Sequence, residues 1–247
     1  MIERFYIHGC SHTSGHELAP GQSVRELSWA NNVANMCEAK VIHNEAQAGG
    51  SNDHIIEQTF EYCTKIRWTS HIEKLFVIIG WTGEDRLFLK SDEPGETRWN
   101  GYYLFMPGLL DPPKPLLPMK KNHKIMYTEL LKTDWGKWYN VQYRMVLKMY
   151  TLQCFLKELN VPYLFLNMLH PFQQSKINDM HKTKLLYKFL DKKRIYKGGE
   201  TVESVYYERF KKDKYSFNFN EHLGQEGQDA FAKEVYQYIK ENDLLLR

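Results

Sequence analysis

This sequence predicts an α/β fold built on a parallel sheet, and three observations predict it. Four short apolar runs, at 5–8, 40–43, 75–79 and 163–166, are rich in Val, Ile, Phe or Leu and too short for helices. Amphipathic stretches of helical length lie between them. The turns after the first three runs carry glycine and polar residues, as the C-terminal edge of such a sheet does where it holds a ligand. Strands alternating with helices imply right-handed crossovers and helices on both faces, hence a three-layer α/β/α sandwich.

The first run, Phe5-Tyr6-Ile7-His8, ends in Gly9-Cys10-Ser11-His12-Thr13-Ser14-Gly15. Small residues there let the backbone turn sharply and present the Ser11 hydroxyl beside nearby N–H groups. A helix-compatible stretch, 23–39, follows, with Leu27, Ala30, Val33, Ala34 and Cys37 at helical spacing from residue 25 onward. The second run leads into Asn44 and the Gly49-Gly50 turn, whose N–H groups suit an anion at a helix N-terminus. Ser51 or Asp53 equally suits the cap of the helix predicted at 53–68, where Ile55, Ile56, Phe60, Cys63 and Ile66 share a face. The third run enters Gly80-Trp81-Thr82-Gly83-Glu84-Asp85-Arg86, another polar turn at the same edge.

Residues 87–133 break the pattern. They hold Pro94, Pro107, Pro112, Pro113, Pro115 and Pro118 among many aromatics, and they are too long for an ordinary connection. They read as an insertion or lid over one end of the sheet, since Tyr102-Tyr103-Leu104-Phe105-Met106 is too apolar to be left in water. Helical spacing returns at 138–159, with Val141, Met145, Met149, Leu152 and Leu156 on one face. Residues 173–214 form a basic helical segment whose lysines read first as a solvated helix face. A closing helix at 226–242 sets Ala230, Phe231, Val235 and Ile239 toward the sheet, and His222 precedes it on a loop.

A chain of 247 residues is long enough for one such domain spanning 1–247. With 16 Tyr, 13 Phe and 6 Trp, some aromatics are expected to line a groove as well as the core. A formal charge of +3 is too small to argue for nucleic acid. Cys10, Cys37, Cys63 and Cys154 are widely spaced, with no CxxC pair, which excludes a zinc ribbon or a disulfide scaffold and suits reduced thiols in a cytoplasmic protein. The chain opens directly into a strand without a signal-peptide core, and no apolar run approaches the roughly 20 residues of a membrane span. His8, His12 and His16 recur every four residues, but the strand end and Gly9 between them argue against one helix and so against a shared metal. No cofactor and no membrane partner are expected.

In this order the blocks resemble the SGNH (GDSL-type) hydrolase superfamily. Ser11 in Gly9-Cys10-Ser11 matches its nucleophile block, and Gly49 in Asn44-(x)4-Gly49 its glycine block. Gly80-Trp81-Thr82 falls where its Gly-x-Asn turn belongs, and His222-(x)4-Gly227-(x)4-Ala232 looks like its closing histidine pattern. The Gly-Cys-Ser-x-Thr opening and the Trp-Thr turn look similar to a divergent branch met among bacteriophage proteins. The resemblance implies a flavodoxin-like parallel sheet and a serine esterase or deacetylase. Its catalytic residues would be Ser11 and His222, and its oxyanion donors the N–H groups of Ser11 and Gly49 with the Thr82 hydroxyl. Asn52 is a spare donor. His12, Trp81, Arg86 and His170 are candidate substrate contacts, and a small-molecule or glycan ester is the implied partner.

The departures are specific. Cys10 replaces the usual Asp, Thr82 the usual Asn, and Phe219 stands three residues before the histidine, where the family has an acid. Glu221 or a backbone carbonyl would then have to hold the imidazole. Loss of one oxyanion donor costs about 2.7–4 kcal/mol. Two alternatives therefore stand: a catalytically weakened protein of this fold that binds a glycan or protein partner, and a nucleic-acid-associated protein using 176–197.

Overall fold

The computed structural model describes residues 2–19, 22–69, 71–84, 86–90, 102–105, 121–169, 181–199 and 222–246. The central sheet has four parallel strands: β1 (Arg4–Gly9), β4 (Val41–Asn44), β5 (Leu75–Trp81) and β8 (Tyr163–Asn167), in the order β4-β1-β5-β8. These are the four predicted runs, three of them extended by a residue or two and the second shifted by one, from 40–43 to Val41–Asn44. The order is that of a flavodoxin-like sheet, with the first strand of the chain between the second and third of the runs.

Strand alternation divides the core into two layers. Phe5, Ile7, Phe76, Ile78, Leu164 and Leu166 face α1 (Trp29–Met36) and α6 (Gln225–Glu241), packing on Trp29, Val33, Phe231 and Val235. Tyr6, Val77, Ile79, Trp81, Tyr163 and Phe165 face α2 (Asn52–Arg67) and α4 (Trp138–Glu158), packing on Ile55, Cys63, Met145, Met149 and Leu152. All seven residues of β5 are buried, as the middle of a doubly covered sheet requires. The protein is therefore a three-layer α/β/α sandwich.

Two helix starts reflect capping. The stretch predicted at 23–39 becomes helical only at Trp29, because Ser28 caps α1 by accepting from the Asn31 N–H at 3.4 Å. Residues 25–27 form a 3-10 turn instead, and Leu27 is 45% exposed, so it leaves the predicted apolar face. Ser51, rather than Asp53, caps α2.

Other elements were not foreseen. A short antiparallel hairpin, β2 (His16–Ala19) with β3 (Gln22–Ser23), follows the first turn. Within 87–133, β6 (Leu87–Lys90) pairs antiparallel with β7 (Tyr102–Phe105), and α3 (Lys121–Lys132) follows. The six prolines and Met106 lie outside the described residues. In the basic stretch, where a helical segment is expected, α5 (His181–Phe189) leads to 3-10 turns in which Arg194 donates to the carbonyls of Tyr163, Leu244 and Leu246. Lys197 pairs with Glu234 at 3.5 Å. That part of the stretch ties the C-terminal segment to the sheet. Lys176 lies outside the described residues.

Candidate active site

The turn after β1 is held by its own backbone. Thr13 and Ser14 N–H both donate to the Cys10 carbonyl, at 2.9 and 3.0 Å, and His16 N–H donates to that of Ser11 at 3.2 Å. The turn closes because two glycines leave it room. Gly9 and Gly80 are paired across β1 and β5, and the Thr13 side chain folds back over both. A Cβ on Gly9 would lie 2.4 Å from Thr13 Oγ1, and one on Gly80 only 2.1 Å away. Ser11 tops this turn, 8% exposed. Its N–H donates to no acceptor among the described residues.

His222 stands just before α6, and the fold brings it to this turn. The His12 ring packs on the His222 ring at 4.6 Å between centroids, and the His16 ring meets it edge-on at 5.4 Å. Trp29 braces both loops: its indole N–H donates to the His12 carbonyl at 2.9 Å, and its backbone N–H to Gln228 Oε1 at 2.8 Å. Gln228 in turn donates to the Leu223 carbonyl, next to the histidine. Burial pushes the His12 imidazole down to about 3, helped by its coulombic interactions with His222, Arg86 and His16. At neutral pH His12 is thus an uncharged ring.

The three histidines spaced by four do not gather. His8 is fully buried; its Nδ1 accepts from the Gly9 N–H at 2.8 Å, and its ring meets His54 edge-on at 5.2 Å. Among the described residues, no group of three or more His, Cys, Asp or Glu is arranged to hold a metal ion.

The glycine turn lies directly on the first turn. Gln47 N–H donates to the Gly9 carbonyl at 3.0 Å, and a Cβ on Gly50 would lie 3.1 Å from that same oxygen. Gly49 takes a φ of 81°, open to glycine and strained for other residues. Its N–H, like that of Ser11, donates to no acceptor among the described residues.

Asn52 sits elsewhere in function than the sequence suggests. Its carbonyl accepts from the Thr82 N–H at 2.8 Å, and its amino group donates to the Thr82 carbonyl at 2.9 Å and to Glu84 Oε1 at 2.7 Å. Both amide hydrogens are spent, so Asn52 fastens α2 to the end of β5 and is not a spare donor. Glu84, fully buried in its side chain, also meets Lys148 at 2.9 Å, and Lys148 reaches Asp53 at 2.8 Å. The Thr82 hydroxyl is buried beside this network, with no hydrogen-bond partner among the described residues.

Trp81 is corrected as a substrate contact. It continues the β5 parity of Val77 and Ile79 into the core, fully buried and edge-on to Phe165 at 5.4 Å. Arg86 lies at the turn, donating to the Gly50 carbonyl at 3.3 Å. His170, Phe219 and Glu221 lie outside the described residues. Sequence reasoning passed over Trp29 and Gln228, although a glutamine between Gly227 and Phe231, on the buried side of a helix, signals a side chain kept for a specific hydrogen bond.

Fold and site together define a three-layer α/β protein with a Ser, a glycine turn and a His loop meeting at the C-terminal edge of its sheet. The chain belongs to a family of unknown function (DUF6071), whose sequence model matches residues 16–247 and so includes His222 but not Ser11. No curated protein matches it in sequence. Among solved structures it is similar to the psychrotrophic esterase EstA from Pseudoalteromonas sp., at 10% identity over 97% of each chain with a TM-score of 0.49. It is also similar to the lipase Lip_vut3 from a goat rumen metagenome, at 12% identity over 96% of this chain and 97% of that one, with a TM-score of 0.47. A third is TesA, at 8% identity over 97% of this chain and 99% of that one, with a TM-score of 0.44.

Proposed function

We propose that this protein is a serine-dependent hydrolase that cleaves an ester or acetyl group, with Ser11 as nucleophile and His222 as general base. The observation that carries this reading is the ring contact of His12, the residue after Ser11, with His222, which joins the first turn of the chain to its last loop. Ser11 Oγ attacks the carbonyl carbon while His222 accepts the hydroxyl proton and then delivers it to the leaving alcohol. Water hydrolyses the acyl-enzyme by the same route in reverse. The N–H groups of Ser11 and Gly49 supply the oxyanion site, and both are uncommitted among the described residues. Neutral His12 packs on the base without adding a second positive charge as the imidazolium forms.

The test is turnover of short-chain p-nitrophenyl esters by the wild type, Ser11→Ala and His222→Ala. Each variant is expected to lose at least about a thousandfold in kcat while unfolding at the wild-type temperature. Wild-type turnover retained by Ser11→Ala would sink the assignment. A second reading, a binding protein on this fold for a glycan or protein partner, is favoured by one observation. Of the two candidates for a third oxyanion donor, Asn52 is committed and Thr82 is fully buried. It predicts no ester turnover by well-folded wild type.

A further inference from the structure

We infer that this site accepts substrates carrying an anionic group, a carboxylate or a phosphate, held by Arg86 with support from Arg25. For the bond that is cleaved, this rests on the Ser11–His222 reading; for binding, it stands on the two arginines. They grip the glycine turn from both ends: Arg25 Nε donates to the Ala46 carbonyl at 2.9 Å and Arg86 Nη1 to the Gly50 carbonyl at 3.3 Å. Each spends one of its five N–H donors on this turn, and neither forms an ion pair with a carboxylate among the described residues.

The contrast with neighbouring cations is chemical. Arg144 and Lys148 are also partly buried, and both are matched to the Glu84 carboxylate. Arg25 and Arg86 are partly buried and, among the described residues, have only neutral carbonyls to answer them. A guanidinium half out of water, with most of its planar fork unspent, is completed by a bidentate anion.

Position makes the pair relevant to Ser11. The turn they hold rests on the Gly9 carbonyl through Gln47 and Gly50, two residues from the serine. His12 and His8 sense the fields of Arg86 and Arg25 respectively, and both imidazoles are held neutral mainly by burial. The two guanidiniums thus supply fixed positive charge at this edge of the sheet. An ester whose acyl or alcohol part ends in an anion would be oriented there while its carbonyl meets Ser11.

The experiment uses Ser11→Ala protein, which binds without turnover, titrated calorimetrically at low salt with inorganic phosphate, succinate and neutral dimethyl succinate. Saturable binding of at least one anion is expected, falling with added salt, while the neutral diester shows none. Arg86→Gln should weaken it about tenfold or more, the loss of a charged hydrogen-bonded contact, and Arg86→Lys should keep part of it. Phosphate binding alone points to a phosphorylated substrate, and succinate binding alone to a carboxylated one. Thermal unfolding of each variant checks the turn, and Arg25→Gln serves as second variant should Arg86→Gln fail to fold. No saturable anion binding by well-folded protein, or binding unchanged in Arg86→Gln, would overturn the proposal. Ser11 inert to an acyl-type probe would overturn the catalytic reading and leave anion binding standing; a reactive Ser11 without anion binding would do the reverse.

Discussion

Two polar clusters sit at the C-terminal edge of the sheet, on opposite faces, and they are built on opposite principles. On the α2–α4 side, Asn52, Glu84, Lys148 and Asp53 satisfy one another through direct hydrogen bonds and ion pairs of 2.7 to 2.9 Å. On the α1–α6 side, His12 and His16 meet His222 through ring faces and edges, beside a serine whose N–H is uncommitted among the described residues. A closed network fixes geometry, because every proton already has its acceptor. The first cluster is scaffold and the second is where chemistry is proposed.

Removing Glu84 should break the scaffold most. Glu84→Ala leaves Lys148 with Asp53 alone, takes the carboxylate from beside Arg144 and orphans one Asn52 hydrogen, and should cost about 3–5 kcal/mol in urea unfolding, as for a broken buried pair. A cost below about 1 kcal/mol would erase the distinction between the clusters. Asn52→Ala orphans the buried Thr82 N–H and should cost about 1–3 kcal/mol; Asn52→Asp restores an acceptor for that N–H but sets a carboxylate against Glu84, so it should recover little.

Gly80→Ala tests the notch beneath Ser11. Its Cβ collides with Thr13, so a loss of about 1–3 kcal/mol is expected. The pair Gly80→Ala with Thr13→Ala should recover part of that loss, since the Met168 side chain, 3.0 Å from the new Cβ, still has to give way.

The smallest effect is a pH slope. His12 is held near 3 in the fold against 6.5 when unfolded, so below pH 6.5 the unfolded chain takes up a proton that the native one refuses. Stability therefore falls as pH drops from 6.5 toward 4, and His8, also lowered by burial, adds to the fall. Each such group contributes up to about 1.4 kcal/mol per pH unit in that window. His12→Gln should flatten the slope by about 1 kcal/mol per unit in denaturation measured at pH 6.5, 5.5 and 4.5; an unchanged slope would contradict a neutral His12.

Much of this was legible in the sequence, for physical reasons that also explain the misses. The four strands announced themselves because strands covered on both faces carry unbroken apolar runs. Helices α2, α4 and α6 did so because each buries one stripe. Trp81 was misplaced by ending the third strand at 79; continuing the alternation of Val77 and Ile79 sends it into the core. Asn52 looked like a donor because its partners, Thr82 and Glu84, are 30 and 32 positions away and carry no local signature. The hairpin β6–β7 and α3 fell inside a proline-rich stretch that composition marks only as irregular. Ser11, Gly49 and His222 were legible as turn residues after strands or before a helix, whereas Trp29 and Gln228, which brace the two loops, act through contacts no spacing records.

The central claim is that Ser11 is an activated nucleophile with His222 as its base. Fluorophosphonate labelling read by intact and peptide mass spectrometry, on wild type, Ser11→Ala and His222→Ala, tests it most directly. The account predicts a single adduct on the peptide holding Ser11 in the wild type, absent from both variants. A folded wild type that takes no label, or one that keeps its label in His222→Ala, would contradict it.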